Sequence, residues 1–413
     1  MQKLSIFYSI EDYFPPYRVD IAELYGQSLK NYGVHCEWAM QRKLPGACAK
    51  DSVFGQIAHL PYRSSDTSSI GKLVNKFAFW LCDIRHLCIC LVKPFDVIQV
   101  RDKYIAAIFG LLIAKFKGVP FIYWCSFPFP EHYLEMSKQS TGLRKAYCWL
   151  HGNVGMVVLY KLVMRFSHHA FVQSDQMRLD VAAYGVPSAK MSVVPMGVPQ
   201  RLLDGAKTQA IQVVAGRVVY LGTMASVRQL HVVIDAFAIV VKRCPQASLL
   251  MIGDGDHAHE RAALESQVAK LGLSHAVRFT GFVPIEEAWT LSASAAVCVS
   301  PFYPTKVLAS TSPTKLVEYM ALGRPVVCNN HPEQSNIIQQ SGAGLCVEWG
   351  VQPFADAIIT LLENPTQAES MGAKGPAWVN ANRTYSIIAD QVWRTYQSIL
   401  PQASLQNSIA EKS

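Results

Sequence analysis

From Ser310 the chain reads Ser-Thr-Ser-Pro-Thr-Lys-Leu-Val-Glu-Tyr-Met-Ala-Leu-Gly-Arg-Pro-Val-Val. Ser312 is suited to cap a helix and Pro313 to occupy its first position. Leu316, Val317 and Met320 give that helix an apolar face, Gly323 closes it, and a buried strand follows. The free N–H groups and positive dipole end of such a helix attract an anion, a phosphate above all. Ser310, Thr311, Ser312 and Thr314 add hydroxyl donors, and Lys315 adds a cation. Glu318 follows Pro313 by five residues, about 7.5 Å along a helix axis. That offset suits a carboxylate accepting both hydroxyls of a ribose whose diphosphate sits at the helix start. A solvated Lys315–Glu318 pair, worth a few tenths of a kcal/mol, is the plainer alternative.

Such a helix start works only at the carboxyl edge of a parallel sheet, and the chain alternates strand and helix patterns throughout. The first 200 residues place strands at 4–9, 34–38, 96–100, 120–124, 169–173 and 191–195, with helices at 19–32, 104–116 and 175–184. A polar stretch, 201–214, reads as a linker. The second alternation runs through strands at 219–222, 248–252, 277–279, 295–300, 325–328 and 344–347. Helices are expected at 230–243, 260–271, after Ser312, at 353–362 and at 385–400. The expected class is α/β, with an N-terminal domain over 1–200 and a C-terminal domain over 215–384. The helix 385–400 is expected to pack back on the first domain, and 401–413 to form a tail.

Half of the residues are hydrophobic and only 16% charged, which excludes a disordered or fibrous chain. Residues 1–200 hold 22 Lys and Arg against 14 Asp and Glu, and residues 201–413 hold 16 against 16, so the whole excess of +8 is N-terminal. This asymmetry points to an anionic partner for the first half, a membrane surface or a phosphorylated acceptor rather than nucleic acid, with charge that serves only solubility as the plainer alternative. Eleven cysteines without a CxxC pair, and a start without a signal-peptide run, fit a cytoplasmic protein. Residues 77–92, 104–116 and 154–164 are apolar but too short to span a bilayer, and core helices are the favoured reading. Phe77, Phe79, Trp80 and Leu81, flanked by Lys72, Lys76 and Arg85, also fit a helix lying at a membrane interface, a peripheral contact on the inner face.

The order of elements after residue 215 resembles the donor-binding domain of the retaining GT-B glycosyltransferases of family 4. Tyr220-Leu221-Gly222 followed by Arg228 resembles the family's glycine turn and basic donor residue. Residues 249–255, with Gly253 and Gly255, resemble its glycine-bearing strand end. Arg278-Phe279-Thr280-Gly281-Phe282-Val283 and residues 318–327 resemble two further elements. The resemblance implies two Rossmann-like domains facing a central cleft. It also implies a UDP- or GDP-sugar donor as co-substrate, no cofactor, and a glycan or lipid-linked glycan acceptor. Donor contacts fall on Gly222, Arg228, Gly253, Gly255, Phe282, Ser310, Thr311, Ser312, Thr314, Lys315 and Glu318, with Arg228 and Glu318 the catalytic candidates.

The sequence departs from the family pattern in four places. Ser310 stands for the first of the paired glutamates, Thr223 for a basic residue, and Thr311-Ser312-Pro313-Thr314 for a glycine-rich loop. Cys125-Ser126 stands where many relatives carry a histidine. Ser126, Glu131 and Ser174 are the acceptor-side candidates, Asp102 and Glu131 only weak substitutes for the histidine, and no general base is assigned. The family's front-face mechanism, in which the leaving diphosphate assists deprotonation of the acceptor, needs none. Asp254-Gly255-Asp256 spells the DxD of a different, metal-dependent fold; read as a turn near the nucleotide, it leaves the transfer metal-independent, with no metal ligands assigned. A sugar-nucleotide epimerase and a non-catalytic nucleotide-sugar-binding protein are the alternatives. A dehydrogenase is excluded by the lack of GxGxxG with a downstream acid.

Overall fold

The computed structural model describes residues 3–400 apart from residues 17, 209 and 210. The chain divides into two compact units, Met1–Pro195 with Tyr385–Ser413, and Met196–Thr384. The tail expected over 401–413 lies outside the described residues.

The first unit is built on an eight-stranded sheet: β1 (Leu4–Phe14), β2 (Val34–Arg42), β3 (Ala49–Val53), β4 (Gln56–Leu60), β5 (Val97–Arg101), β6 (Phe121–Cys125), β7 (His169–Val172) and β8 (Met191–Val193). Its order is β3-β4-β2-β1-β5-β6-β7-β8, parallel except for the β3–β4 hairpin. That hairpin turns at Phe54 and Gly55, both at positive φ, and was not legible in the strand pattern. Successive side chains go to opposite faces. Tyr8, Trp124 and Phe171 pack one core, and Phe7, Tyr123 and Val172 pack the other. The chain moves outward in both directions from β1 and β5, so their carboxyl ends mark a topological switch point.

The second unit holds six parallel strands: β9 (Arg217–Leu221), β10 (Ser248–Ile252), β11 (Val277–Phe279), β12 (Val297–Ser300), β13 (Val326–Asn329) and β14 (Gly344–Val347). The order β11-β10-β9-β12-β13-β14 is the doubly wound arrangement, with its switch point between β9 and β12.

Three expectations need correction. Residues 201–214 are not a plain linker: the helix Gln200–Thr208 occupies much of that stretch, and its Leu202 and Leu203 are buried in the second unit's core with Trp289 and Leu316. Residues 19–32 are not one helix but a π-helical segment, Asp20–Tyr25, and a 3-10 segment, Ser28–Tyr32, separated at Gly26. The apolar stretches are only half inside. Phe77, Leu81, Phe116, Val154 and Val157 are exposed, because each helix carries apolar residues on both of its sides.

The last helix, Tyr385–Ile399, belongs to the first unit. Tyr396 Oη donates to Gln99 Oε1 at 2.5 Å, Gln99 Nε2 donates to Tyr25 Oη at 2.8 Å, and the two tyrosine hydroxyls are 2.8 Å apart, all buried.

Candidate functional site

In the second unit two glycine turns lie against each other at the carboxyl edge. Gly222 follows β9 and donates its N–H to Ile252 O at 2.9 Å. Gly253 follows β10 with φ +122°, and a Cβ there would stand 2.1 Å from Gly222 O. Only glycine combines that backbone with that approach. A Cβ on Gly222 would lie 2.9 Å from Tyr220 Oη and 3.7 Å from Lys315 Cε, so this turn, the tyrosine of β9 and the start of the 314–321 helix share one small space. Gly255 is confined in the same way, 2.9 Å from Glu260 Cβ.

Arg228 ends a short 3-10 turn, Ser226–Arg228. Its Nε donates to Thr223 Oγ1 at 2.9 Å, and its guanidinium lies 5.9 Å from the centre of the Phe302 ring. Phe302 follows β12 and is pinned by Asn329, which accepts its N–H at 2.7 Å and donates to its carbonyl at 2.8 Å. Arg228 therefore reaches from the β9 side of the switch point to the β12 side.

The helix runs from Thr314 to Ala321, with Pro313 at the capping position and no side chain capping it. Ser312 is not the cap the sequence implied. Its Oγ donates to Glu333 at 2.9 Å and accepts the Met196 N–H at 3.0 Å, and these partners leave it unavailable to the helix start. Thr311 Oγ1 donates to Leu308 O at 2.7 Å and Ser310 Oγ to Lys306 O at 3.3 Å, so these hydroxyls shape the loop. Thr314 and Lys315 are the half-buried polar side chains of the first turn.

Glu318 is 2% exposed. Its Oε1 accepts from Trp289 Nε1 at 3.2 Å and its Oε2 from Lys315 Nζ at 3.2 Å. The Lys315–Glu318 pair exists, but at a buried carboxylate rather than on a solvated face. Tyr319 ties the same helix to β9 by accepting the Leu221 N–H at 2.6 Å. Trp289 and Glu333 were missed in the sequence, where nothing local marks either; both are recruited from distant helices. Phe282 is 88% exposed and follows Gly281, whose carbonyl accepts the Gly253 N–H at 3.1 Å, so its ring stands in solvent beside the glycine turns. Asp254 Oδ2 lies 3.4 Å from Arg261 Nη1, and its Oδ1 accepts the Gly255 N–H at 2.9 Å, so the DxD carboxylate serves its own turn. Among the described residues, no group of three or more His, Cys, Asp or Glu is arranged to hold a metal.

The first unit has a cavity of about 460 Å3 at its switch point, lined by Glu11, Lys72, Lys76, Trp80, Lys103 and Tyr147 among others. Asp102 holds the edge in a left-handed backbone conformation, φ +60°, rare outside glycine. Ser126 supports it, its N–H donating to Oδ1 at 2.9 Å and its Oγ to Oδ2 at 2.5 Å. Lys103 is buried and donates to Asp83 Oδ1 at 2.8 Å. Desolvation by the cavity walls, then the charge of Asp102, pushes the Glu11 carboxyl up to about 7 against the opposing pull of Lys103, while the residue keeps part of its surface in solvent.

The structure does not bring Glu131 or Ser174 to this cavity. Glu131 accepts Tyr160 Oη at 2.8 Å, and Ser174 caps the helix Asp175–Ala183 by accepting the Met177 N–H at 3.0 Å. Glu11, Asp83 and Lys103 were missed because they come from three separated segments, with no spacing to announce them.

Residues 215–364 match the family of glycosyl transferases group 1. A phosphatidyl-myo-inositol mannosyltransferase of Mycobacterium tuberculosis is 30% identical over 190 residues, which is 44% of this chain and 47% of that protein. The chain thus spans less than half the length of this curated relative. The HepE protein of Anabaena, solved with UDP, superposes with a TM-score of 0.70 at 16% identity over 96% of this chain and 100% of its own. A sucrose-phosphate synthase of Thermosynechococcus elongatus gives 0.72 at 17% identity over 96% and 99%. The fold is therefore that of the GT-B glycosyltransferases, and within it residues 215–364 carry the sequence of the glycosyl transferases group 1.

Proposed function

We propose that the chain is a retaining glycosyltransferase that moves a sugar from a UDP- or GDP-sugar to a glycan or lipid-linked glycan in polysaccharide or glycoconjugate biosynthesis. The observation that carries the donor site is the buried Glu318, set beneath an uncapped helix start beside two side-chain-free turns. In this reading the first helical N–H groups and Lys315 meet the diphosphate, and Glu318 accepts the ribose hydroxyls. Ser310, Thr311 and Ser312 hold the loop in shape. Gly222, Gly253 and Gly255 let the backbone approach the nucleotide, and Phe282 offers a ring to its base.

Negative charge grows on the leaving diphosphate as the glycosidic bond breaks, so fixed positive groups aimed at it lower the barrier, a single donor by about 3–4 kcal/mol. Arg228 and Lys315 are those groups. The departing phosphate takes the acceptor proton, which fits a site with no assigned base. The cavity of the first unit serves as the acceptor site. Among the described residues no helix is long and apolar enough to cross a membrane. Cytoplasmic residence with peripheral attachment to the inner face accounts for the basic first half. The relative named for phosphatidyl-myo-inositol supports a lipid acceptor.

Calorimetric titration with UDP, GDP and their sugars, repeated on Glu318→Gln, tests the donor site. Binding of one nucleotide that is weakened at least tenfold by the substitution is expected; equal binding by both proteins refutes it. The anomeric configuration of the product, read by NMR, tests retention.

A further inference from the structure

Three stretches of the first unit, the helix Ser69–Leu87, the helix Tyr104–Lys117 and residues 142–166, leave apolar side chains in solvent at helical spacing. Ile70, Leu73, Val74, Phe77 and Leu81 form one stripe at i, i+3, i+4, i+7 and i+11. Phe109, Leu112 and Phe116 form a second, Phe116 being 81% exposed. Leu143, Leu150, Val154 and Val157 form a third, with Leu143 91% exposed. The middle helix packs against the first and against the Val157–Met164 segment, so the stripes belong to one side-by-side layer. Exposed apolar residues in such number mark a contact surface, not ordinary solvent-facing scatter.

Charge identifies what covers it. Together the three stretches carry nine lysines and arginines and a single acid, Asp83. That acid is buried and paired with Lys103, so no carboxylate of these stretches faces outward. An apolar layer whose own outward charges are all basic is complementary to an anionic bilayer, where it would lie in the interface without spanning it.

The cavity opens between the same helices. Lys72, Lys76 and Trp80 come from the first, Tyr147 from the third. Lys76 Nζ donates to Tyr147 Oη at 3.0 Å and lies 4.9 Å from that ring's centre, joining the two walls. Two of the cavity's three acids are already matched, Asp83 by Lys103 and Asp102 by Arg101. Lys72 and Lys76 have no carboxylate within ion-pair range among the described residues. The positive balance calls for an anionic ligand, and the aromatic wall for a ring or chain stacked on it.

We propose that this cavity takes the phosphate-bearing headgroup of a lipid, handed to it by an anionic bilayer on which the three-helix layer lies. The proposal rests on the reading of the cavity as the acceptor site and names the class of acceptor. The 413-residue chain is sedimented with phosphatidylcholine vesicles with and without phosphatidylglycerol. Separately, it is titrated with water-soluble short-chain phosphatidic acid, the matching phosphatidylcholine, and inorganic phosphate. Binding only to the phosphatidylglycerol vesicles, released by salt, is expected. Phe77→Glu with Leu81→Glu, and independently Leu150→Glu, should cut vesicle binding at least tenfold while short-chain phosphatidic acid still binds. Lys72→Ala with Lys76→Ala should weaken short-chain phosphatidic acid at least tenfold, with an unchanged melting temperature showing that the variants fold. Equal sedimentation with neutral vesicles, or short-chain phosphatidic acid binding no tighter than either inorganic phosphate or the choline lipid, overturns the proposal. UDP titration of the same samples keeps the two readings apart: lipid binding without UDP binding sinks the donor site alone, and UDP binding without lipid binding sinks this one alone.

Discussion

The carbonyl oxygen of Gly222 lies where a side chain on Gly253 would have to begin, 2.1 Å from the Cβ that any other residue would carry. The two strand ends β9 and β10 are therefore locked at a separation that only hydrogen tolerates. Gly253→Ala should cost about 1–3 kcal/mol through its φ of +122° and more through the clash. At about 2–4 °C per kcal/mol for a unit of this size, differential scanning calorimetry will resolve the loss. A melting temperature equal to that of the natural chain would mean the turns are not packed as described.

Glu318→Ala removes the partner of both Lys315 and Trp289. Breaking a buried charge pair costs about 3–5 kcal/mol, and the part-exposed lysine puts this case at the low end. Glu318→Gln keeps the shape and an acceptor oxygen, so it should fold well yet lose at least tenfold in donor turnover. Full turnover by the glutamine variant would remove the carboxylate from the donor site.

Arg228 contributes little to stability, since it sits on a short exposed turn with one hydrogen bond and one ring contact. Arg228→Ala should change unfolding free energy by no more than about 0.5 kcal/mol. Turnover at limiting donor should fall at least tenfold, with Arg228→Lys recovering only part of it, because a point charge does not reproduce the planar guanidinium. Unaltered kinetics would disprove its role.

The Glu11 carboxyl titrates at about 7 in the folded chain against an ordinary value of 4.5. Between those values the folded state holds a proton that the unfolded chain has lost, so stability falls as pH rises through that window and levels off above it. Screening by water in the cavity limits the effect to about 1 kcal/mol. Denaturant midpoints measured from pH 4 to 8 on the natural chain and on Glu11→Gln should diverge across this range; parallel curves would contradict the assignment.

With Asp254 engaged by Arg261 and by its own turn, donor turnover should be unaffected by EDTA. Abolition by chelation and recovery with Mn²⁺ would be the opposite result.

The second sheet was largely legible because each of its strands is short, apolar and punctuated by glycine or proline. β10 at 248–252, β11 at 277–279 and β14 at 344–347 fall where the pattern put them. The helix that carries Glu318 was legible for the same reason, being framed by Pro313 and Gly323. What failed was whatever depends on a partner far along the chain. Ser312 carries every local mark of a cap, but Glu333, 21 residues on, takes its hydroxyl. The cavity of the first unit joins Glu11, Lys72, Lys103 and Tyr147, whose proximity exists only after β1 and β5 pair. Of the exposed stripes only the one through Phe77 and Leu81 was legible, and there beside a buried reading, because a helix apolar on two sides has the composition of a buried one.

The contact between Tyr396 and Gln99 spans 297 positions and closes the core around Tyr25. In a chain emerging from the ribosome, Met196–Thr384 is a contiguous stretch and has all of its own residues before Tyr385 is made. The earlier-synthesised unit must instead wait, its Tyr25 and Gln99 uncovered, until the final helix arrives. The order of completion is thus the reverse of the order of synthesis, and a nascent chain stalled before that helix exposes the first unit, and not the second, to chaperones and proteases.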